Sequence, residues 1–223
     1  MLIVVAGMIG GGKSSLTKLI SENFGGIAFY EEANSPILQK FYTATEDEAN
    51  AKRYPFLLQL EFLNSRFRMI KKCLLEGDNP KINILDRSIY EDAYFMEVNH
   101  RLGRISDEEA TIYLNLLENM LEEIEELPKK APDLCIYLKG SFDTFIKRIE
   151  KRNRGFEVVD PATKEYFYEL WQGYDDWINS QYNASKVVVI DIDKLDFVEN
   201  ETDKEILIGE LTNVFNDLGL LEA

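Results

Sequence analysis

Leu2-Ile3-Val4-Val5-Ala6-Gly7-Met8-Ile9-Gly10-Gly11-Gly12-Lys13-Ser14-Ser15 carries a short β-branched apolar run into a glycine-rich turn. Such a run, with no polar alternation, predicts a strand buried on both faces. Past the turn, Leu16, Leu19, Ile20 and Phe24 recur at helical spacing, and Gly25-Gly26 stops the helix. Gly7 to Ser14 fits G-x-x-x-x-G-K-[ST] without a gap, in the strand-to-helix setting where that pattern has mechanical meaning. Gly7, Gly10, Gly11 and Gly12, with Ser15 beyond them, let successive N–H groups curl toward one point, and the helix N-terminus adds partial positive charge. Lys13 is placed to bridge the β- and γ-phosphates of a nucleoside triphosphate, and the Ser14 hydroxyl to ligate Mg²⁺. The motif names a nucleoside triphosphate but not the group that receives the phosphate.

The same alternation continues outward. Ile27–Tyr30 predicts a second strand ending at Glu31, and Ile82–Leu85 a third ending at Asp86. Between them Phe56, Leu60, Leu63, Phe67, Ile70 and Leu74 make one stripe of a helix over Pro55–Leu75, broken at Gly77-Asp78-Asn79-Pro80. A helix follows over Tyr90–Asn99. Ser106 and Glu109 have capping-box spacing and open another that runs to about Leu127, where Pro128 and Pro132 end it. Leu134–Leu138 and Val187–Ile190 complete five strands, with helices over Phe142–Lys151, Lys164–Tyr182 and Thr202–Leu218. Apolar strands alternating with helices imply an α/β fold, a parallel sheet covered on both faces. No repeat or interdomain linker interrupts residues 1–223, so a single domain is expected.

Composition narrows the function. A net charge of −15 repels nucleic acids and anionic membranes, so anionic ligands must be gathered by local cations or backbone N–H groups. Hydrophobic residues at 45% argue against an acidic disordered chain. One histidine excludes a His–His metal site, and Cys73 and Cys135 sit in apolar stretches as buried thiols. The apolar runs are too short to span a bilayer, and no basic region precedes the first of them, so a cytoplasmic location is expected.

Charged clusters stand at the predicted strand ends, where open parallel sheets bind ligands. A hydroxyl acceptor benefits from a carboxylate that takes its proton. Glu31 and Glu32 are both open for that role, with Glu31 favoured because it directly follows the strand. Asp86 occupies a position suited to organising Mg²⁺. Arg148, Arg152 and Arg154 are spaced to neutralise charge on a transferred phosphoryl group, as a lid over about residues 148–160.

Gly7–Ser15, Tyr30-Glu31, Phe41-Tyr42, Gln59, Asp86-Arg87-Ser88-Ile89-Tyr90-Glu91-Asp92 and Arg148–Glu157 together resemble the deoxynucleoside kinases, especially the bacterial deoxyadenosine/deoxyguanosine kinases. The likeness extends over nearly the whole chain, including Leu127-Pro128-Lys129-Lys130 and Asp193–Phe197. It implies a P-loop kinase fold, generally dimeric, that transfers phosphate from ATP to a deoxynucleoside 5′-hydroxyl. By motif match Glu31 is the general base and Arg87 sits beside the reacting oxygen. Tyr42 and Glu157 hold the sugar 3′-hydroxyl, Gln59 bonds the base edge, and Arg66 and Asp92 shape the far end of the pocket. The Asp193–Phe197 loop lies against the adenine of ATP. The family's base-stacking aromatic falls at Met96 here, with Phe95 adjacent, and Thr43–Arg53 reads as an acidic, variable lid. Asp92, as an acceptor for an exocyclic amino group, points to deoxyadenosine, with deoxyguanosine or deoxycytidine as weaker substrates.

Two rival readings share the phosphate loop. A nucleoside monophosphate kinase of the thymidylate type depends less on a carboxylate base, so Glu31 discriminates against it. A nucleotide switch that is not a kinase needs no deoxyribose pocket.

Overall fold

The computed structural model describes residues 1–31, 34–75, 82–125 and 131–219. Its strands are β1 (Leu2–Gly7), β2 (Ile27–Phe29), β3 (Asn83–Asp86), β4 (Leu134–Lys139) and β5 (Lys186–Asp191). They form one five-stranded sheet in the order β2-β3-β1-β4-β5, every neighbouring pair parallel. Around it lie α1 (Lys13–Phe24), α2 (Pro36–Thr43), α3 (Glu46–Lys52), α4 (Tyr54–Leu75), α5 (Asp92–Arg101), α6 (Asp107–Glu125), α7 (Phe142–Arg152), α8 (Pro161–Ser180) and α9 (Glu201–Asp217), with a single 3₁₀ turn at Ile89–Glu91.

β1 sits at the centre because it has no polar face to show. Ile3 and Val5 enter a core shared with Leu16 and Ile20 of α1 and Phe167 and Leu170 of α8. Leu2 and Val4 point the other way, into a second core with Leu63 and Ile70 of α4 and Tyr113 and Leu117 of α6. Helices therefore cover both faces. The edges depart from the sequence reading: β5 leaves Val189 53% exposed and β2 leaves Ile27 45% exposed, since an edge strand has only one neighbour to shelter it.

After β3 the chain crosses to the far side of β1 to make β4, so the strand order reverses at β1. Ligands bind in such folds where that reversal opens a crevice beyond the carboxyl ends of the strands. Val5 is level with Asp86 across the β1–β3 pair, and the Arg87 N–H donates to the Val5 carbonyl at 3.1 Å. The turn after β1 and the Asp86-Arg87-Ser88 segment are thereby held side by side.

Most element boundaries fall within three residues of the sequence reading. The Ser106–Glu109 capping box is formed, with Ser106 N–H donating to Glu109 Oε2 at 2.9 Å and Glu109 N–H to Ser106 Oγ at 3.3 Å. α8 starts at Pro161 rather than Lys164, because Asp160 caps the Thr163 N–H at 2.8 Å with proline in the first turn. The sequence reading gave no helix at α2 or α3. Ser35 caps α2 and Thr45 caps α3, whose residues are all at least partly exposed. Thr43–Arg53 is thus largely a capped helix, anchored where Arg53 Nε donates to Glu109 Oε1 at 2.6 Å. The break at 77–80 and the segment 127–130 lie outside the described residues. Among the described residues no helix is long and apolar enough to cross a membrane, and Cys73 and Cys135 are buried thiols not joined in a disulfide.

Candidate active site

The phosphate loop is a turn only glycine tolerates at two points. Gly10 adopts φ +82°, and a Cβ there would stand 2.7 Å from Ile149 Cγ1 and 3.1 Å from the Phe145 carbonyl oxygen. Gly12 adopts φ +90° at the start of α1. The Gly11 N–H closes the turn on the Met8 carbonyl at 3.1 Å. Lys13 folds back over this loop, donating to the carbonyls of Gly7 at 2.9 Å and Met8 at 2.8 Å. Burial, aided by the Arg87 charge, lowers its pKa to about 7. Ser14 Oγ contacts Asp86 Oδ2. Burial is also the main reason that the Asp86 carboxyl is raised above its usual value, with Lys13 and Ser14 opposing the shift.

Two cavities flank this loop. The first is a pocket open to solvent, about 670 Å³ in all, lined by Glu31, Tyr42, Gln59, Arg66, Arg87 and Glu157 among others. The second, about 960 Å³, is lined by Gly12, Ser15, Arg148, Asp196 and Val198 among others. Gly10, Lys13 and Arg152 line both, so the cavities meet at the loop lysine.

Helix α4 presents Gln59, Phe62 and Arg66 to the first cavity, at the three- and four-residue steps that place side chains on one helix face. Arg66 lies over the Phe62 ring at 4.9 Å and spans two carboxylates: Nε donates to Glu31 Oε1 at 3.0 Å, and Nη1 contacts Asp92. Burial alone would raise the Glu31 pKa, but Arg66 and Arg87 more than offset it and hold the carboxyl below the usual glutamate range. Glu31 is therefore ionised at neutral pH.

Arg87 adopts φ +73°, a left-handed conformation uncommon for a residue with a Cβ. Its guanidinium lies over the Phe95 ring at 4.5 Å, with Nε 3.6 Å from Glu31 Oε2 and Nη1 donating to Glu91 Oε1 at 3.1 Å. Burial opposes the Arg87 charge, yet Glu91 and Glu31 together raise its pKa above the ordinary arginine value. Elsewhere in the first cavity, Glu157 contacts Arg152, and burial followed by the Glu157 charge pushes the Tyr42 hydroxyl well above its normal pKa. α7 ends at Arg152, and the chain turns so that Arg154 also faces the first cavity. Arg148 points the other way, donating to the Gly11 carbonyl at 3.3 Å and Asp196 Oδ1 at 3.1 Å.

Three expected placements differ. Asp92 stands behind Arg66 with no exposed surface and does not line the cavity. Asp193 turns away from the second cavity to accept from the Ser141 N–H at 2.7 Å, and Phe197 is buried against the underside of Gly12; Asp196 and Val198 face the cavity instead. At the position where the family carries its stacking aromatic, Phe95 lines the first cavity while Met96 is buried in the core beneath α4 and α6. Glu32 lies outside the described residues. Sequence reasoning passed over Phe62 and Glu91. The face shared by Gln59, Phe62 and Arg66 would have found the first, and the Arg87-to-Glu91 spacing of four the second.

The arrangement places an ionised carboxylate and four arginines in one pocket that meets a glycine-loop pocket across a lysine. Comparison with known proteins agrees with that chemistry. Residues 3–216 match the family model described as deoxynucleoside kinase. The chain is 42% identical to a deoxyguanosine kinase of Lactobacillus johnsonii over 99% of this chain and 95% of that protein. It is 41% identical to a deoxyadenosine kinase of Lactobacillus acidophilus over 99% of each. A solved deoxyadenosine kinase from M. mycoides with bound dATP superposes with a TM-score of 0.74 at 25% identity, covering 95% of this chain and all of that one. The chain belongs to the deoxynucleoside kinase family.

Proposed function

We propose that this enzyme transfers the γ-phosphoryl group of ATP to the 5′-hydroxyl of a purine 2′-deoxynucleoside. The observation that carries the reading is the junction of the two cavities at Gly10, Lys13 and Arg152, with Glu31 and Arg87 on the acceptor side. Glu31 takes the 5′-hydroxyl proton as that oxygen attacks the γ-phosphorus. Arg87, Lys13, Arg152 and Arg154 neutralise the charge on the transferred group and the leaving diphosphate, with Arg148 holding the loop. Arg66 depresses the basicity of Glu31 while the pocket holds no nucleoside, and a base that engages Arg66 removes that partner as the acceptor arrives. Tyr42 and Glu157 bond the 3′-hydroxyl, and Gln59 the base edge. Ser14 and Asp86, in contact at the end of the loop, are an oxygen donor set that fits Mg²⁺. When bound, that ion supplies positive charge to the phosphate oxygens.

Deoxyadenosine is proposed ahead of deoxyguanosine. Its 6-amino group is a donor that the Asp92 carboxylate can accept once Arg66 turns aside, whereas guanine presents an oxygen there. Asp92→Asn is expected to lower the deoxyadenosine-to-deoxyguanosine ratio of kcat/KM by about tenfold or more; an unchanged ratio removes the assignment. We further propose that the whole chain acts as one domain and pairs as a homodimer. Ile112 and Leu116, one turn apart on α6 and 53% and 38% exposed, supply apolar surface for such contact. Incubation with ATP, Mg²⁺ and each deoxynucleoside should yield the 5′-monophosphate. Product from a nucleoside monophosphate only, or ATP hydrolysis with no phosphorylated nucleoside, would favour the rival readings.

A further inference from the structure

Glu91 lines neither cavity and has no exposed surface, yet it is ringed by donors from parts of the chain far apart in sequence. Its Oε1 accepts from Arg87 Nη1 at 3.1 Å and the Gly7 N–H at 3.3 Å, and contacts the Tyr174 hydroxyl. Its Oε2 accepts from the Ser88 N–H at 3.4 Å. The Tyr174 hydroxyl also accepts from the Gly7 N–H at 3.0 Å, and its ring is stacked on Tyr137 at 5.4 Å. Neutral groups could satisfy these N–H and O–H donors. A full negative charge in a dry site needs a cation, and among the described residues Arg87 is the one it touches.

We propose that Glu91 is a positioning residue for phosphoryl transfer: held by Tyr174 and Ser88, it fixes the Arg87 guanidinium and ties it to the first residue of the phosphate loop. The proposal rests on the reading that Arg87 acts at the reacting oxygen. Arg87 divides its charge between Glu91 and Glu31, so loss of the Glu91 charge lets it swing onto Glu31, away from the phosphoryl path and onto the base itself. The backbone of Arg87 at φ +73° cannot relax to compensate, because its N–H is held by Val5.

The test is a double-mutant cycle read as single-turnover rates at saturating ATP, Mg²⁺ and deoxynucleoside. Glu91→Gln is expected to slow transfer about 10- to 100-fold with both KM values within about threefold. On an Arg87→Gln background the same change should have almost no further effect, and that double variant buries no unpaired charge. Equal losses in both backgrounds, or a Glu91→Gln rate within twofold of the parent, overturn the proposal. If Glu91→Gln fails to fold, Tyr174→Phe serves in the same cycle: it should slow transfer several-fold in the parent and not in Arg87→Gln, and equal losses again overturn it. Near-parental activity of Arg87→Gln alone would instead sink the assigned role of Arg87.

Discussion

Lys13 and Glu31 carry charges that the pocket pushes in opposite directions. Folding lowers the lysine to about 7 from an unfolded value near 10.4, so its charge costs stability below pH 7, and the cost is relieved as pH rises from 7 toward 10. A triphosphate restores the charge. ATP binding near pH 8 should therefore take up protons, seen calorimetrically as a dependence of the binding enthalpy on buffer ionisation; proton release or no exchange contradicts this. Glu31 is depressed, so its contribution to stability is present above about pH 4.3 and is lost as pH falls through its lower folded value. The motif made Lys13 legible in the sequence. What it could not show is that the side chain donates to the Gly7 and Met8 carbonyls.

Local chemistry decides the elements, and that is why some were legible and others not. β1 and α1 announce themselves by apolar pattern and glycine punctuation. α3 buries no side chain, so no stripe marks it, and α2 carries Leu38, Phe41 and Tyr42 on one face over only eight residues; the Ser35 and Thr45 caps are their clearer signs. In the phosphate loop the decisive element is a turn wedged against α7. Gly10→Ala forces a Cβ to within 2.7 Å of Ile149 Cγ1 at a positive φ. The expected result is ATP binding weakened about tenfold, equivalent to about 1–2 kcal/mol of backbone strain, by titration calorimetry. An unchanged Kd would show that the loop gives way more easily than its packing against α7 implies.

At the scale of the molecule, the site exists because the strand order reverses at β1 and brings the ends of β1, β2 and β3 together. The sequence could list Glu31, Asp86 and the arginines, but their convergence depends on topology, which no local pattern encodes. The spacing of four hints at the Arg87–Glu91 pair, but the other partners of Glu91, Gly7 and Tyr174, come from β1 and α8 and meet it only through the topology. Ile3 is fully buried in the central strand. Ile3→Ala should cost about 2–5 kcal/mol in denaturant unfolding, and a loss under about 1 kcal/mol would mean that β1 is not the core. On the proposed mechanism a carboxylate deprotonates a sugar alcohol beside a polyphosphate, and Glu31→Gln removes that base. With ATP, Mg²⁺ and deoxynucleoside at saturation, single-turnover transfer is predicted to fall about 10²- to 10⁴-fold while both substrates bind within about threefold of the parent. Transfer at near-parental rate would contradict it.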